Sequence, residues 1–403
     1  MNMLPKVIWS AVSTLILSGT VLAQAPGPAS ETLTVADATA RALKACNSQV
    51  DFNACIAATV EYLFADRRNR GYADTAFSRN LDYGPEKQAI KASNPPATMC
   101  VAAVSEVAIE ALNFYYGATK SDRPFKILKA ESWNKSRRTD IRSYIWENEG
   151  DTKKRGAGHA FASFGLGEMV EFRNARPGDF LSLDRSKFRP RVTWTEQETK
   201  DWAGKPLVTF EGQLGRWKAS GHSTIFLGYL DKGLNPTLKY PGPDVVGFLY
   251  FSSQGSAAPN GGFNYRWAIF RNAKDSNGKG VCETASLSAR MDCSLDGVDR
   301  GSLRVGRLWN PAKWDEGGPQ RVAQALAANV RSSIEKLANL DLKTFKTYPG
   351  VSSERLNLPE FKGVFGQGPN VDMVKSFVDT LVQRELDKEN DGFDRERLNG
   401  ITD

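Results

Sequence analysis

Apolar residues recur along this chain with two different periods. Residues 35–67 carry Ala-rich segments at helical spacing on either side of a polar break at 47–53, a pattern that predicts a helical hairpin. Residues 68–93 are polar and irregular. Ser93-Asn94-Pro95-Pro96-Ala97-Thr98 reads as a helix start, with proline restricting the entry and Thr98 as the cap. Val101, Val104, Ala108, Ile109 and Leu112 then form one apolar stripe, which Gly117 ends. From about residue 169 the period shortens towards two. Strands are expected at 169–172, 180–183, 207–210, 223–230, 245–251 and 265–270, with Arg176-Pro177-Gly178-Asp179 as a turn. A helix first and antiparallel strands afterwards predict an α+β architecture.

Beyond Lys274 the pattern changes again. Val322, Leu326, Val330, Ile334 and Leu337 form one helical stripe, and Val371, Val374, Val378 and Leu381 form another. Residues 348–369 between them are rich in Gly and Pro. The expected organisation is an N-terminal linker and helical region at 24–80, a central domain at 81–275 and a mostly helical region at 276–403, with no internal repeat. Within the central domain, residues 120–155 hold eleven Lys or Arg against six Asp or Glu, with Trp133, Tyr144 and Trp146 interleaved. Such a run reads as a solvated insertion held by a few aromatic anchors.

The first residues set the compartment. Residues 1–23 carry Lys6, an apolar run at 7–22 and the small-residue site Val21-Leu22-Ala23, as a cleavable signal peptide does. Later stretches fall short of the ~18 apolar residues a membrane helix needs. The mature chain, beginning at Gln24, is therefore expected in the periplasm or secreted. A hydrophobic content of 41% and a charged content of 25% are those of a globular protein. The net charge of +7 suits attraction to an anionic polymer such as a cell wall. An exported chain with no nucleic-acid-binding module is not expected to bind nucleic acid.

Export changes how the five cysteines are read. Cys46 and Cys55 form one close pair and Cys282 and Cys293 another, as disulfides in an oxidising compartment would. Cys100 is left over, in the first turn of the predicted helix. A helix N-terminus favours negative charge, and its unpaired N–H groups can receive the oxyanion of a tetrahedral intermediate. A cysteine there is a candidate nucleophile if a base stands near. The chain has only two histidines. His222 opens a predicted strand, sharing a face with Thr224 and Phe226. His159 lies among Gly158, Ala160 and Phe161 and reads as a packed or surface residue. His222 is the better base.

Four stretches now stand together: Cys100 at a helix start, Arg176-Pro177-Gly178-Asp179-Phe180-Leu181, Gly221-His222-Ser223-Thr224-Ile225-Phe226-Leu227-Gly228, and Ser252-Ser253-Gln254. In these the chain resembles the papain-like superfamily of cysteine peptidases and amidases, in particular the NlpC-like and CHAP-like cell-wall hydrolases, over roughly residues 80–275. The resemblance implies a papain-like core in which one helix carries the cysteine and an antiparallel sheet carries the histidine. It implies Cys100 as nucleophile, His222 as base and Gln254 as the residue that orients the imidazole, with Ser252 second for that role. The family's Asp-Cys-Ser-Gly signature is replaced here by Thr98-Met99-Cys100-Val101-Ala102, and the cysteine-to-histidine insertion is long.

Other chemistries fit less well. Two histidines this far apart exclude the His-Glu-x-x-His zinc helix, and Cys100, His159 and His222 have no close ligand spacing. Gly221 to Ile225 lacks the closing glycine of a nucleophile elbow. The stretch from Asp387 to Gly392 begins like a calcium loop, but Leu398 stands where a glutamate is required. The expectation is an exported cysteine peptidase or amidase that cleaves an amide bond in peptidoglycan or a peptide, with no metal or organic cofactor. The extra helical regions would suit an inhibitor or docking protein. The alternatives are a non-enzymatic wall-binding or scaffolding protein on the same fold and an acyltransferase using the same residues.

Overall fold

A computed structural model describes residues 33–47, 51–73, 76–135, 137–146, 156–204, 206–210, 212–255, 261–284, 291–295, 303–338 and 371–388. The expected signal segment, the linker after it and the stretch at 348–369 lie outside these residues.

The expected N-terminal hairpin is present as α1 (Val35–Cys46) and α2 (Phe52–Arg67). Thr34 caps α1 by accepting from the Asp37 amide at 3.1 Å, and Asp51 caps α2 through the Asn53 amide at 3.0 Å. The Cys46–Cys55 disulfide joins the helices across the turn. This hairpin is not a separate region: Phe52, Ile56, Val60 and Leu63 enter the same core as the rest of the molecule. The stretch read as irregular contains an antiparallel pair, β1 (Leu81–Tyr83) and β2 (Glu86–Ile90). Three exposed residues in β2 hide it from a hydrophobic-pattern reading.

The central helix α3 (Cys100–Thr119) is buried at every position from Cys100 to Leu112. Its N-cap is Met99, with no side-chain cap, and the Thr98 hydroxyl donates elsewhere, to the Ala76 carbonyl at 3.0 Å. The helix also runs past Gly117 and closes on Lys120, which adopts the left-handed conformation with φ 62°. Glu106, buried in the middle of α3, is satisfied by the Arg67 guanidinium and by the Ser78 hydroxyl and amide, the last two at 2.6 and 2.9 Å. The basic insertion forms short helices α4 (Arg123–Ile127), α5 (Glu131–Asn134) and α6 (Ile141–Trp146), followed by α7 (Gly156–Ser163). As expected it is held by aromatics: Trp133 and Trp146 are buried, and the Trp133 indole donates to the Tyr83 hydroxyl at 3.0 Å.

The strands that follow are β3 (Gly167–Val170), β4 (Phe180–Pro190), β5 (Val208–Phe210), β6 (Gln213–Leu230), β7 (Pro236–Thr237), β8 (Gly247–Gln254), β9 (Gly262–Phe270), β10 (Met291–Leu295) and β11 (Leu303–Leu308). Helix α8 (Glu196–Asp201) lies between β4 and β5, and α9 (Val281–Thr284) precedes β10. Seven strands pair in the order β10-β9-β8-β6-β4-β11-β3, with β5 and β7 also on β6. All these pairings are antiparallel except β10 with β9. The mixed helix and antiparallel-sheet architecture is the expected α+β class.

Alternation along the strands divides the interior in two. Ile225 and Leu227 of β6 and Leu249 and Phe251 of β8 join α3 in the main core. Leu181, Leu183, Phe226, Phe248 and Tyr250 form a second cluster with Phe172, Leu295 and Val305. Although β9, β8 and β6 separate β10 from β4 in the sheet, β10 packs back against β4, so the twisted sheet curls around this second cluster.

The sheet does not end at residue 275. Strand β11 lies between β4 and β3, inside the region expected to be mostly helical. One node explains why. Asp179, at the end of the Arg176-Pro177-Gly178-Asp179 turn, accepts from the Arg176 amide at 2.8 Å and from Asn53 Nδ2 at 2.7 Å. It also accepts from Arg307 Nε at 2.9 Å and Nη2 at 2.8 Å. The buried carboxylate thereby ties α2, β4 and β11 together. Burial alone would lower the Arg307 pKa, but hydrogen bonding to and attraction by Asp179 hold it above its ordinary value. Gly178 has φ +93°, and a Cβ there would stand 2.4 Å from the Asn53 carbonyl oxygen.

The C-terminal helices α10 (Gly318–Ala338) and α11 (Val371–Asp387) pack as a pair. Leu326, Val330 and Ile334 of the expected first stripe meet Val378, Val382 and Leu386. The second stripe thus follows a four-residue step from Val378, where Val371, Val374, Val378 and Leu381 were expected. None of the described helices is long and apolar enough to cross a membrane.

Candidate functional site

Cys100 is the first helical residue of α3 and lies outside both disulfides, Cys46–Cys55 and Cys282–Cys293. No acidic residue occupies the first turn and no side chain caps it. The positive end of the helix is therefore not neutralised from within, an arrangement that favours an anion at the thiol or an oxyanion beside it. Cys100 is 4% exposed and belongs to the main core.

His222 is buried in β6, directly across from Leu183 of β4. Its ring meets Tyr250 edge-on, with centroids 5.9 Å apart and planes at 77°. Between β6 and β8 the register is set by Ile225 opposite Phe251 and Phe226 opposite Tyr250. The ladder ends at Ile225; the same register continued three residues would bring Gln254 opposite His222. Opposed residues in an antiparallel pair share a face, so Gln254, Tyr250 and His222 stand on one side. Gln254 is 2% exposed, and its Nε2 has no acceptor among the described residues. A carboxamide whose oxygen accepts from an imidazole N–H would leave this nitrogen available to a substrate.

Ser252 is used differently. Its hydroxyl donates to the Ser223 carbonyl at 2.6 Å, stitching β8 to β6 where the ladder frays. That engagement makes Gln254 the stronger of the two residues considered for orienting the histidine. His159 sits partly buried in α7, with its Nδ1 3.3 Å from the Ser163 hydroxyl.

The helix and the sheet end are joined by Ser253. Its hydroxyl donates to the Thr98 carbonyl at 2.8 Å, two residues before Cys100. Alternation puts Ser253 on the helix side of β8, with Phe251, while Gln254 and His222 belong to the other side. Cys100 thus reaches this end of the sheet from one side, and the imidazole and carboxamide from the other. Sequence reasoning missed Ser253 and Tyr250. Ser253 was visible only as part of a polar run ending a strand, and nothing in the sequence indicated what it would touch.

Chemically, a thiol at an uncapped helix start, an imidazole and a primary carboxamide are the component types of nucleophilic acyl transfer; here the thiol lies on one side of the sheet and the other two groups on the opposite side, so transfer between them requires contact around the strand ends. Neither a protein-family model, nor a curated protein, nor a solved structure matches the chain.

Proposed function

We propose that the protein is an exported cysteine amidohydrolase with a papain-like core, which cleaves an amide bond in peptidoglycan. His222 takes the Cys100 proton as the sulfur attacks the carbonyl carbon, the helix start receives the oxyanion, and the imidazolium gives that proton to the leaving amine as the C–N bond breaks. The thioester on Cys100 is then hydrolysed by water that His222 deprotonates, and Gln254 orients the imidazole throughout. The observation that carries this reading is the Ser253 to Thr98 hydrogen bond. It holds the start of the cysteine helix to the end of the strand that bears Gln254. Two disulfides accord with an oxidising compartment outside the cytoplasm.

Purified peptidoglycan digested with the full chain and with Cys100→Ala, and read by mass spectrometry, tests the proposal. New amide-cleavage products from the wild type alone support it, and their masses name the bond. Identical digests from both would overturn it. Products that form only when an amine is added would instead assign acyl transfer. A second reading rests on the low exposure of Cys100. In it the cysteine is an inert core residue and the protein binds the wall without cutting it. That reading predicts sedimentation with peptidoglycan that Cys100→Ala leaves intact, and no products.

A further inference from the structure

The sheet divides at the end that carries His222. Strands β6 and β8 pair from Leu230 opposite Gly247 to Ile225 opposite Phe251, and their ladder stops there. Beyond that row each strand keeps only its outer neighbour. Strand β6 follows β4 from Ile225 opposite Phe180 to Gly215 opposite Pro190, and β8 follows β9 to Gln254 opposite Gly262. A split therefore opens between two central strands. One side chain spans it: the Ser252 hydroxyl donates to the Ser223 carbonyl at 2.6 Å. That bond holds the two lips together. Thr224 follows Ser223 on one lip, and Gln254 lies two residues beyond Ser252 on the other.

The lips are polar and buried. Ser223, Thr224, Ser252, Ser253, Gln254 and His222 are all 7% exposed or less. Burying polar groups costs free energy unless each finds a partner. The hydroxyls of Ser252 and Ser253 do, on the Ser223 and Thr98 carbonyls. Two groups do not. Thr224 Oγ1 and Gln254 Nε2 are shielded from solvent and have no hydrogen-bond partner among the described residues. Alternation puts both on one face: Thr224 shares its side of β6 with Phe226, and Gln254 its side of β8 with Phe248 and Tyr250, all three in the second cluster. The way in is short. Gly221 and Gly255, next after His222 and Gln254 towards the sheet end, are half-buried and carry no side chain.

We infer that the split binds a backbone amide of a peptide substrate, whose N–H donates to Thr224 Oγ1 and whose carbonyl accepts from Gln254 Nε2. This rests on the amidohydrolase reading and supplies its substrate class. A hydroxyl and a carboxamide nitrogen offer one acceptor and a pair of donors, the complement of one N–H and one C=O. Both are neutral, as are the serines beside them. A carboxylate would give up its water for neutral contacts alone, at a far higher cost than an amide. The scissile carbonyl belongs at the helix start, so the amide in the split is a neighbour along the same chain. The bond cut therefore lies within a peptide. Gln254 uses the nitrogen that the imidazole does not, and Thr224 sets specificity without touching the reacting atoms.

The test measures binding separately from cleavage, in the full chain carrying Cys100→Ala. The probes are tri-alanine blocked as its N-acetyl methylamide, and analogues in which one amide N–H at a time is replaced by an ester oxygen. Ligand-observed NMR titration gives each affinity. One ester should bind about fivefold more weakly than the all-amide probe, the loss of one neutral hydrogen bond. Thr224→Val keeps the shape and removes the hydroxyl. It should bind that ester and the amide alike, and Thr224→Ser should restore the preference. A thermal midpoint that is unchanged or raised shows that Thr224→Val still folds, and the ester series in the parent needs no variant at position 224.

No binding of tri-alanine, equal binding of the amide and every ester, or a preference that Thr224→Val retains overturns the inference. Tighter Thr224-dependent binding of N-acetylglucosamine than of tri-alanine keeps an amide in the split but overturns its assignment to a peptide. Thr224-dependent binding of tri-alanine by a chain that cuts no peptidoglycan keeps the amide site and loses the amidohydrolase reading. Peptidoglycan cleavage by the wild type without any ester discrimination does the reverse.

Discussion

The Ser253 hydroxyl donates a hydrogen bond to the carbonyl of Thr98, fastening the end of β8 to the start of α3 two residues before Cys100. The bond lies in the interior, where Ser253 is 0% and Thr98 1% exposed. Ser253→Ala should cost about 1 kcal/mol of stability in a urea titration. In the proposed enzyme it should also lower kcat roughly ten- to hundredfold by loosening the helix start relative to His222. Unchanged kcat in a variant that shows the stability loss would remove the tie from the catalytic argument.

The thiol inventory follows from the disulfides. Of five cysteines, four are bridged, and Cys100 lies outside both disulfides and is buried. An aromatic disulfide reagent should find one thiol in the denatured chain and five after reduction. The native thiol should react more slowly than the denatured one. No thiol in the denatured, unreduced chain would mean that Cys100 is bonded to something else and would end its role as a nucleophile.

Gln254 offers a test with a sign. In the proposed site it orients the neutral or charged imidazole without adding charge of its own. Gln254→Glu would place a carboxylate across from His222, which favours the imidazolium and raises its pKa. The alkaline limb of the pH–rate profile should then move to higher pH, while Gln254→Ala should lower kcat without that shift. Identical profiles for both variants would argue against contact between residue 254 and the histidine.

Asp179 is the node for three distant segments of the chain. Asp179→Ala strands Arg307 and Asn53 and should destabilise the protein by about 3–5 kcal/mol, measured by chemical denaturation. Arg307 has a folded pKa above its ordinary value. Its contribution is therefore fully present below the ordinary guanidinium pKa and would fade only as pH rose through the higher folded value. The Arg307 share of the loss should be constant across neutral and acidic pH.

Tyr265 works in the opposite direction. Its hydroxyl is buried with no hydrogen-bond partner among the described residues, and burial, followed by the nearby charge of Glu61, pushes its pKa up. Tyr265→Phe keeps the ring that packs on Phe64 and Phe251 and removes the unsatisfied oxygen. It should raise stability by about 1 kcal/mol. A loss of similar size would reveal a partner for the hydroxyl.

The residues themselves determined the features that depend on local periodicity and chemistry. Helical spacing located the α1–α2 hairpin and the buried α3, and alternation located the start of β4, the end of β6 and most of β8 and β9. Cysteine spacing identified both disulfides and singled out Cys100. The long-range pairings were decided by tertiary structure. Strand β11 alternates poorly because Arg307 points its charge at a buried carboxylate far away in sequence, so its core position was unreadable. Strand β6 was expected from residue 223 but begins at Gln213, because its polar first half pairs with β4 without an apolar alternation to mark it. The placing of Gln254, Tyr250 and His222 on one side depends on a register between strands, and the joining of Ser253 to Thr98 on how a helix packs across that sheet. Periodicity along one segment carries no information about either, because each is a relation between segments that only the folded chain brings together.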